Sequence, residues 1–138
     1  MKIVVTAQGP TLDSAVSPLF GRCPNYLMVD GDDMSVAPLS NPAVGAAGGA
    51  GIQAAQFIIQ QGAEAVVSGN VGPNAFNVLS AANVPIYLAN GGSVQEAVEA
   101  LKAGQLQQVG APNVGGHYGT GGGRGTGRGM GMGGGGGA

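Results

Sequence analysis

The chain has 138 residues, of which 29 are glycine, with a formal net charge of -2 and a single cysteine. That balance argues against a strongly basic nucleic-acid binder and a highly acidic solvating protein, and one cysteine cannot form an intrachain disulfide. The start MKIVVTAQGP has no long apolar run followed by a cleavage site, and nothing approaches the roughly 20 apolar residues that span a bilayer, so no membrane partner is expected and a reducing cytoplasm is the expected compartment.

Taken in order, Lys2 to Ala7 (KIVVTA) is a β-branched run stopped by Gly9 and Pro10, the pattern of a buried strand. A loop follows to Pro24. Tyr26 to Asp30 (YLMVD) and Met34 to Ser40 are predicted strands joined by the turn Gly31-Asp32-Asp33. The stretch Asn41 to Gly51 (NPAVGAAGGAG) loosens the backbone before a helix over Ile52 to Gln61, which Gly62 stops. Ala65 to Ser68 (AVVS) is then a buried strand, Gly72-Pro73-Asn74 opens a helix through about Ala82, and Pro85 to Ala89 is a further strand. Ser93 with Glu96 forms a capping box for a last helix, Val94 to Ala103, ended by Gly104.

Three early strands followed by alternating helices and strands predict an α/β domain with a five-stranded mixed sheet, its later strands parallel, in a ribonuclease-H-like three-layer arrangement. From Gly115 onward the chain is mostly glycine, which loses much conformational entropy on ordering and buries no side chains in return. The expected organisation is therefore one folded domain over 1–112 and a disordered Gly-rich tail over 113–138.

The informative side chains concentrate in the loop SPLFGRCPNYLMVD, where Phe20, Gly21, Arg22 and Cys23 lie between a turn and a strand. A thiolate is the ligand that iron-sulfur clusters prefer, and a cation beside it favours the ionised form. A lone cysteine is also the small apolar residue most readily buried, and a 4Fe-4S cluster ordinarily takes four thiolates. Cys23, read as exposed in its loop, is the expected metal ligand, acting with other ligands or with other subunits, as a symmetric homo-oligomer gathering the loops around its axis would supply.

Other patterns are weaker. Asp30, Asp32 and Asp33 resemble a divalent-metal cluster but fall where aspartate is ordinary turn chemistry, and KIVVTA lacks the acid that a metal-dependent nuclease wants on its first strand. Gly45, Gly48, Gly49 and Gly51 match neither GxxxxGK[ST] nor GxGxxG. Met28 and Met34 are assigned to strands and the core, whereas His117, Met130 and Met132 in the tail are candidate soft-metal contacts. Arg124 and Arg128 give the tail too small a phosphate term for nucleic acid to be the expected partner. A cofactor-free scaffold whose Gly/Arg tail binds RNA or protein is the alternative.

The opening MKIVVTA, the S-P-L-F-G-R loop, the NPA segment, the stretch GAEAVVSGNVGPNAFNVL and the closing helix, in that order, resemble the dinitrogenase iron-molybdenum cofactor biosynthesis family over about residues 1–105. The resemblance implies a ribonuclease-H-like fold and a non-enzymatic role in binding, carrying or storing an iron-sulfur or iron-molybdenum precursor cluster, with transfer to a cluster-receiving protein. Carried onto this chain, it points to Phe20, Gly21, Arg22 and Cys23 in the first loop and to Gly69, Asn70 and Gly72 in the second.

Overall fold

The computed structural model describes residues 1–43, 45 and 48–110. His117, Met130, Met132 and the two tail arginines lie outside the described residues. Nine elements follow one another: β1 (Lys2–Ala7), β2 (Asn25–Asp30), β3 (Val36–Ser40), α1 (Ala50–Gln60), β4 (Ala65–Ser68), α2 (Pro73–Ala81), β5 (Ile86–Leu88), α3 (Val94–Lys102) and β6 (Gln107–Gln108).

The strands form one mixed sheet in the order β3-β2-β1-β4-β5-β6. β1, β2 and β3 make an antiparallel meander, in which Val5 faces Leu27 and Leu27 faces Pro38. β4 and β5 then add parallel to β1, because α1 and α2 carry the chain back between strands. Six strands are found where five were expected. The sixth, β6, pairs antiparallel with β5 through only two exposed glutamines, too short and too polar to show an apolar alternation in sequence.

Strand alternation sends apolar side chains to both faces of the sheet. Val4, Tyr26, Val66 and Ile86 pack with Ala54, Ala55 and Ile58 of α1 and Ala75 and Leu79 of α2. Ile3, Val5, Leu27, Val29 and Val67 pack on the other face with Val94, Ala97 and Val98 of α3. The molecule is thus three layers, with the sheet buried between one helix on one side and two on the other.

Two local expectations are corrected. α1 begins at Ala50, two residues before the expected start, because the glycines read as loosening the backbone include Gly49 at φ 72, which turns the chain into the helix, and Gly51 in its first turn. Met34 is in no strand: it sits at φ 60 in the β2–β3 turn, half-buried against the α3-side core. The capping box of α3 is present as read, with Ser93 Oγ accepting from Glu96 N–H at 3.1 Å and Glu96 accepting from Ser93 N–H at 2.9 Å. Among the described residues no helix is long and apolar enough to cross a membrane.

Candidate functional site

In an open α/β sheet the natural crevice lies beyond the carboxyl ends of parallel strands where the connections diverge. Here that point is the β1–β4 pair, since β1 leads outward to β2 and β4 leads the other way through α2 to β5. Two hydroxyls mark it. Thr6 and Ser68 are both fully buried, with Thr6 Oγ1 3.0 Å from Ser17 O and 3.2 Å from Ser68 Oγ, while Ser68 Oγ donates to Asn70 O at 3.2 Å. Neither hydroxyl was singled out by the sequence reading; each appears there only as the polar residue near the end of an apolar strand.

This hydroxyl pair ties the first loop to the second. Ser17 N–H donates to Thr6 O, Gly69 N–H to Ser17 O, and Phe20 N–H to Asn70 O at 3.2 Å. Asn70 also donates from Nδ2 to Pro18 O at 2.8 Å, so it clamps the Pro18–Phe20 backbone from the β4 side. The approach requires Gly69, because a Cβ there would sit 2.5 Å from Pro18 Cα. The structure therefore sets the Ser17–Phe20 segment of the first loop against Gly69 and Asn70 of the second.

Beyond Phe20 the loop runs against the start of α1. A Cβ on Gly21 would lie 3.1 Å from Gly51 N, and one on Gly51 would lie 3.5 Å from Ala75 in the first turn of α2. The beginnings of α1 and α2 thus converge beside the loop. Neither has a side-chain cap or an acid in its first turn, whereas α3 satisfies its own N-terminus with Ser93 and Glu96. Each uncapped N-terminus presents backbone N–H groups and about half a positive charge. Arg22, exposed beside them, adds a full one.

Cys23 does not have the exposed position that ligation calls for. It is 1 % exposed, in the core with Phe20, Tyr26, Ala43 and Ala50, and its Sγ donates to Phe20 O at 3.5 Å. Burial pushes the thiol up to about 11, with a hydrogen bond to Tyr26 opposing the shift in part. Near neutrality Cys23 is therefore a protonated thiol, and this arrangement does not fit it as a thiolate ligand. The loop's alternating Arg-Cys-Pro pattern gave no sign that the backbone turns Arg22 outward and Cys23 inward.

The acids of the β2–β3 turn sit at the opposite end of β1. Asp30 Oδ1 accepts from Asp32 N–H at 2.8 Å and Asp33 Oδ1 from Ser35 N–H at 2.9 Å, while the terminal amine of Met1 pairs with Asp32 at 3.5 Å. Hydrogen bonding from Ser35 holds the Asp33 carboxyl below its ordinary value. These are turn-closing contacts.

Comparison with known proteins places the fold among solved structures. The chain is 37% identical to the apo form of the orange protein from Desulfovibrio gigas, with a TM-score of 0.79 over 81% of this chain and 95% of that one. A Thermotoga protein named as a NifB candidate is 34% identical, with a TM-score of 0.69 over 78% of this chain and 91% of that one. An uncharacterized protein of Methanocaldococcus jannaschii is 28% identical over 102 residues, 72% of this chain and 86% of its own length. The family described as dinitrogenase iron-molybdenum cofactor matches residues 1–104, a span that includes both strand-end loops and all three helices. By that match the chain belongs to the dinitrogenase iron-molybdenum cofactor family.

Proposed function

We propose that this protein is a non-enzymatic carrier of an anionic metal-sulfur cluster, held at the strand-end loops by backbone N–H groups and Arg22 without a thiolate from Cys23. The observation that carries the reading is the convergence of the Phe20–Arg22 loop with the two uncapped starts of α1 and α2. Oriented N–H groups and a guanidinium suit an anion whose metals are already coordinated by sulfide. Membership of the family supports metal-sulfur cargo of the iron-sulfur or iron-molybdenum precursor kind.

A cluster bound through its own charge can be released intact to a receiving protein, since no protein-metal bond has to break. Burial of Cys23 also removes the reason to gather four chains around one cluster, so the reading is one cluster per chain. We read the antiparallel β1–β3 followed by parallel β4 and β5 as ribonuclease-H-like, without nuclease chemistry, and the working compartment as a reducing cytoplasm.

The test is elemental analysis of protein purified without oxygen, together with its mass in solution. Iron or molybdenum with acid-labile sulfide at one cluster per chain is the expected result. Metal-free, colourless protein after loading with iron, molybdate and sulfide would overturn the reading.

A further inference from the structure

Three carbonyls of the site loop point into the protein. Tyr26, which has no exposed surface, donates its hydroxyl to Phe20 O, and Cys23 Sγ approaches the same oxygen at 3.5 Å. Asn41, 5 % exposed and at the end of β3, donates from Nδ2 to Gly21 O at 3.0 Å and to Cys23 O at 2.8 Å. Its own orientation is fixed, because Oδ1 accepts from Ala43 N–H at 2.8 Å and the backbone N–H donates to Pro24 O at 3.2 Å. Asn41 and Tyr26 thus hold the loop from the β2–β3 side as Asn70 holds it from β4.

A trans peptide sets the C=O of one residue and the N–H of the next in opposite directions, and no cis peptide bond occurs among the described residues. Drawing Phe20 O inward, onto Tyr26, therefore turns the Gly21 N–H the other way, out of the core. Gly21 N–H has no acceptor among the described residues. We propose that Asn41 and Tyr26 are positioning residues of the site: Tyr26 holds Phe20 O inward, Asn41 fixes the loop on either side of Arg22 through Gly21 O and Cys23 O, and together they aim the Gly21 amide at anionic cargo. The inference rests on the carrier reading above and adds residues that touch no cargo themselves.

The residue types fit the task. Both side chains are neutral, so they orient the loop without adding a charge that would compete with the anion. Tyr26 is held by its stack on Phe20, with ring centroids 5.4 Å apart and planes tilted 49°. A carbonyl that loses such a buried donor rotates to find water, and its peptide N–H rotates with it.

The test uses the full chain and tetrathiomolybdate, a diamagnetic metal-sulfide dianion, in wild type, Asn41→Ala, Tyr26→Phe and Val98→Ala. Val98 lies in the core on the opposite face of the sheet and controls for general destabilisation. In wild type the Gly21 amide resonances, proton and nitrogen, move on titration. Asn41→Ala and Tyr26→Phe weaken binding about tenfold or more and lose those amide shifts, whereas Val98→Ala binds as wild type does. Equal binding by wild type and Tyr26→Phe, or an equal loss in Val98→Ala, overturns the positioning role. A separate arm needs no cargo: hydrogen exchange in wild type should find the Gly21 amide nearly unprotected, and strong protection there overturns the inference. Absence of binding by wild type with a fast-exchanging Gly21 amide instead counts against the carrier reading and leaves the loop geometry standing.

Discussion

At the scale of single residues, the loop is defined by what is missing from Gly69 and by what is hidden at Cys23. Gly69→Ala places a methyl group 2.5 Å from Pro18 Cα, a backbone atom that cannot step aside, and should cost about 1–3 kcal/mol in urea unfolding. Cys23 should behave as a core thiol, slow to react with a thiol reagent in the folded protein at neutral pH and fast once unfolded. The linkage has a definite sign. The folded thiol titrates near 11 against an ordinary value of 9.0, so its contribution to stability is fully present below about pH 9 and is lost between 9 and 11. That loss should amount to about 2–3 kcal/mol, read from unfolding curves at successive pH, and Cys23→Ala should lack the part of the decline due to the thiol. The sequence shows Arg22 and Cys23 as neighbours but not their burial. Adjacent side chains in a loop share no fixed face, and only the carbonyl anchors at Asn41 and Tyr26 decide which one enters the core.

At the scale of elements, local chemistry made most of the fold legible. The β-branched run of β1 has the expected ends, and the Ser93–Glu96 pair caps α3 because Ser-x-x-Glu can close both hydrogen bonds with no help from tertiary structure. Ser93→Ala should therefore cost about 1 kcal/mol and speed amide exchange in the first turn of α3 alone. What sequence could not reveal depends on long-range contacts. β6 exists because Val109 N–H reaches Ile86 O at 2.8 Å, and Gly51 can sit inside α1 because Gly21 and Ala75 press against it. The first loop stands out by its own side chains and the second by resemblance alone. Thr6, Ser68, Asn41 and Tyr26, which join them, had ordinary local explanations as strand or turn residues, and only their partners distinguish them.

At the scale of the molecule, the core residues among the described residues run from Ile3 to Val109. A chain ending at Gly110 should keep its melting temperature within a few degrees of the full chain in calorimetry. The chain leaves the sheet beside Ile86, at the amino end of β5, and so opposite the strand-end site. The 28 residues beyond Gly110 span at most about 90–100 Å when extended, so length alone does not keep them from the site. In the proposed carrier reading the cargo meets the strand-end loops, with α3 and its self-satisfied N-terminus on the other face of the sheet.

The central claim is that the cluster is held by charge and backbone N–H groups, not by sulfur from Cys23. Parallel anaerobic loading of wild type, Cys23→Ala and Arg22→Ala with iron, molybdate and sulfide, followed by metal and sulfide analysis and visible absorption, tests it most directly. The account predicts that Cys23→Ala takes up cluster as wild type does and that Arg22→Ala retains it about tenfold less tightly. Loss of the cluster in Cys23→Ala, with its fold intact and Arg22→Ala unaffected, would contradict it.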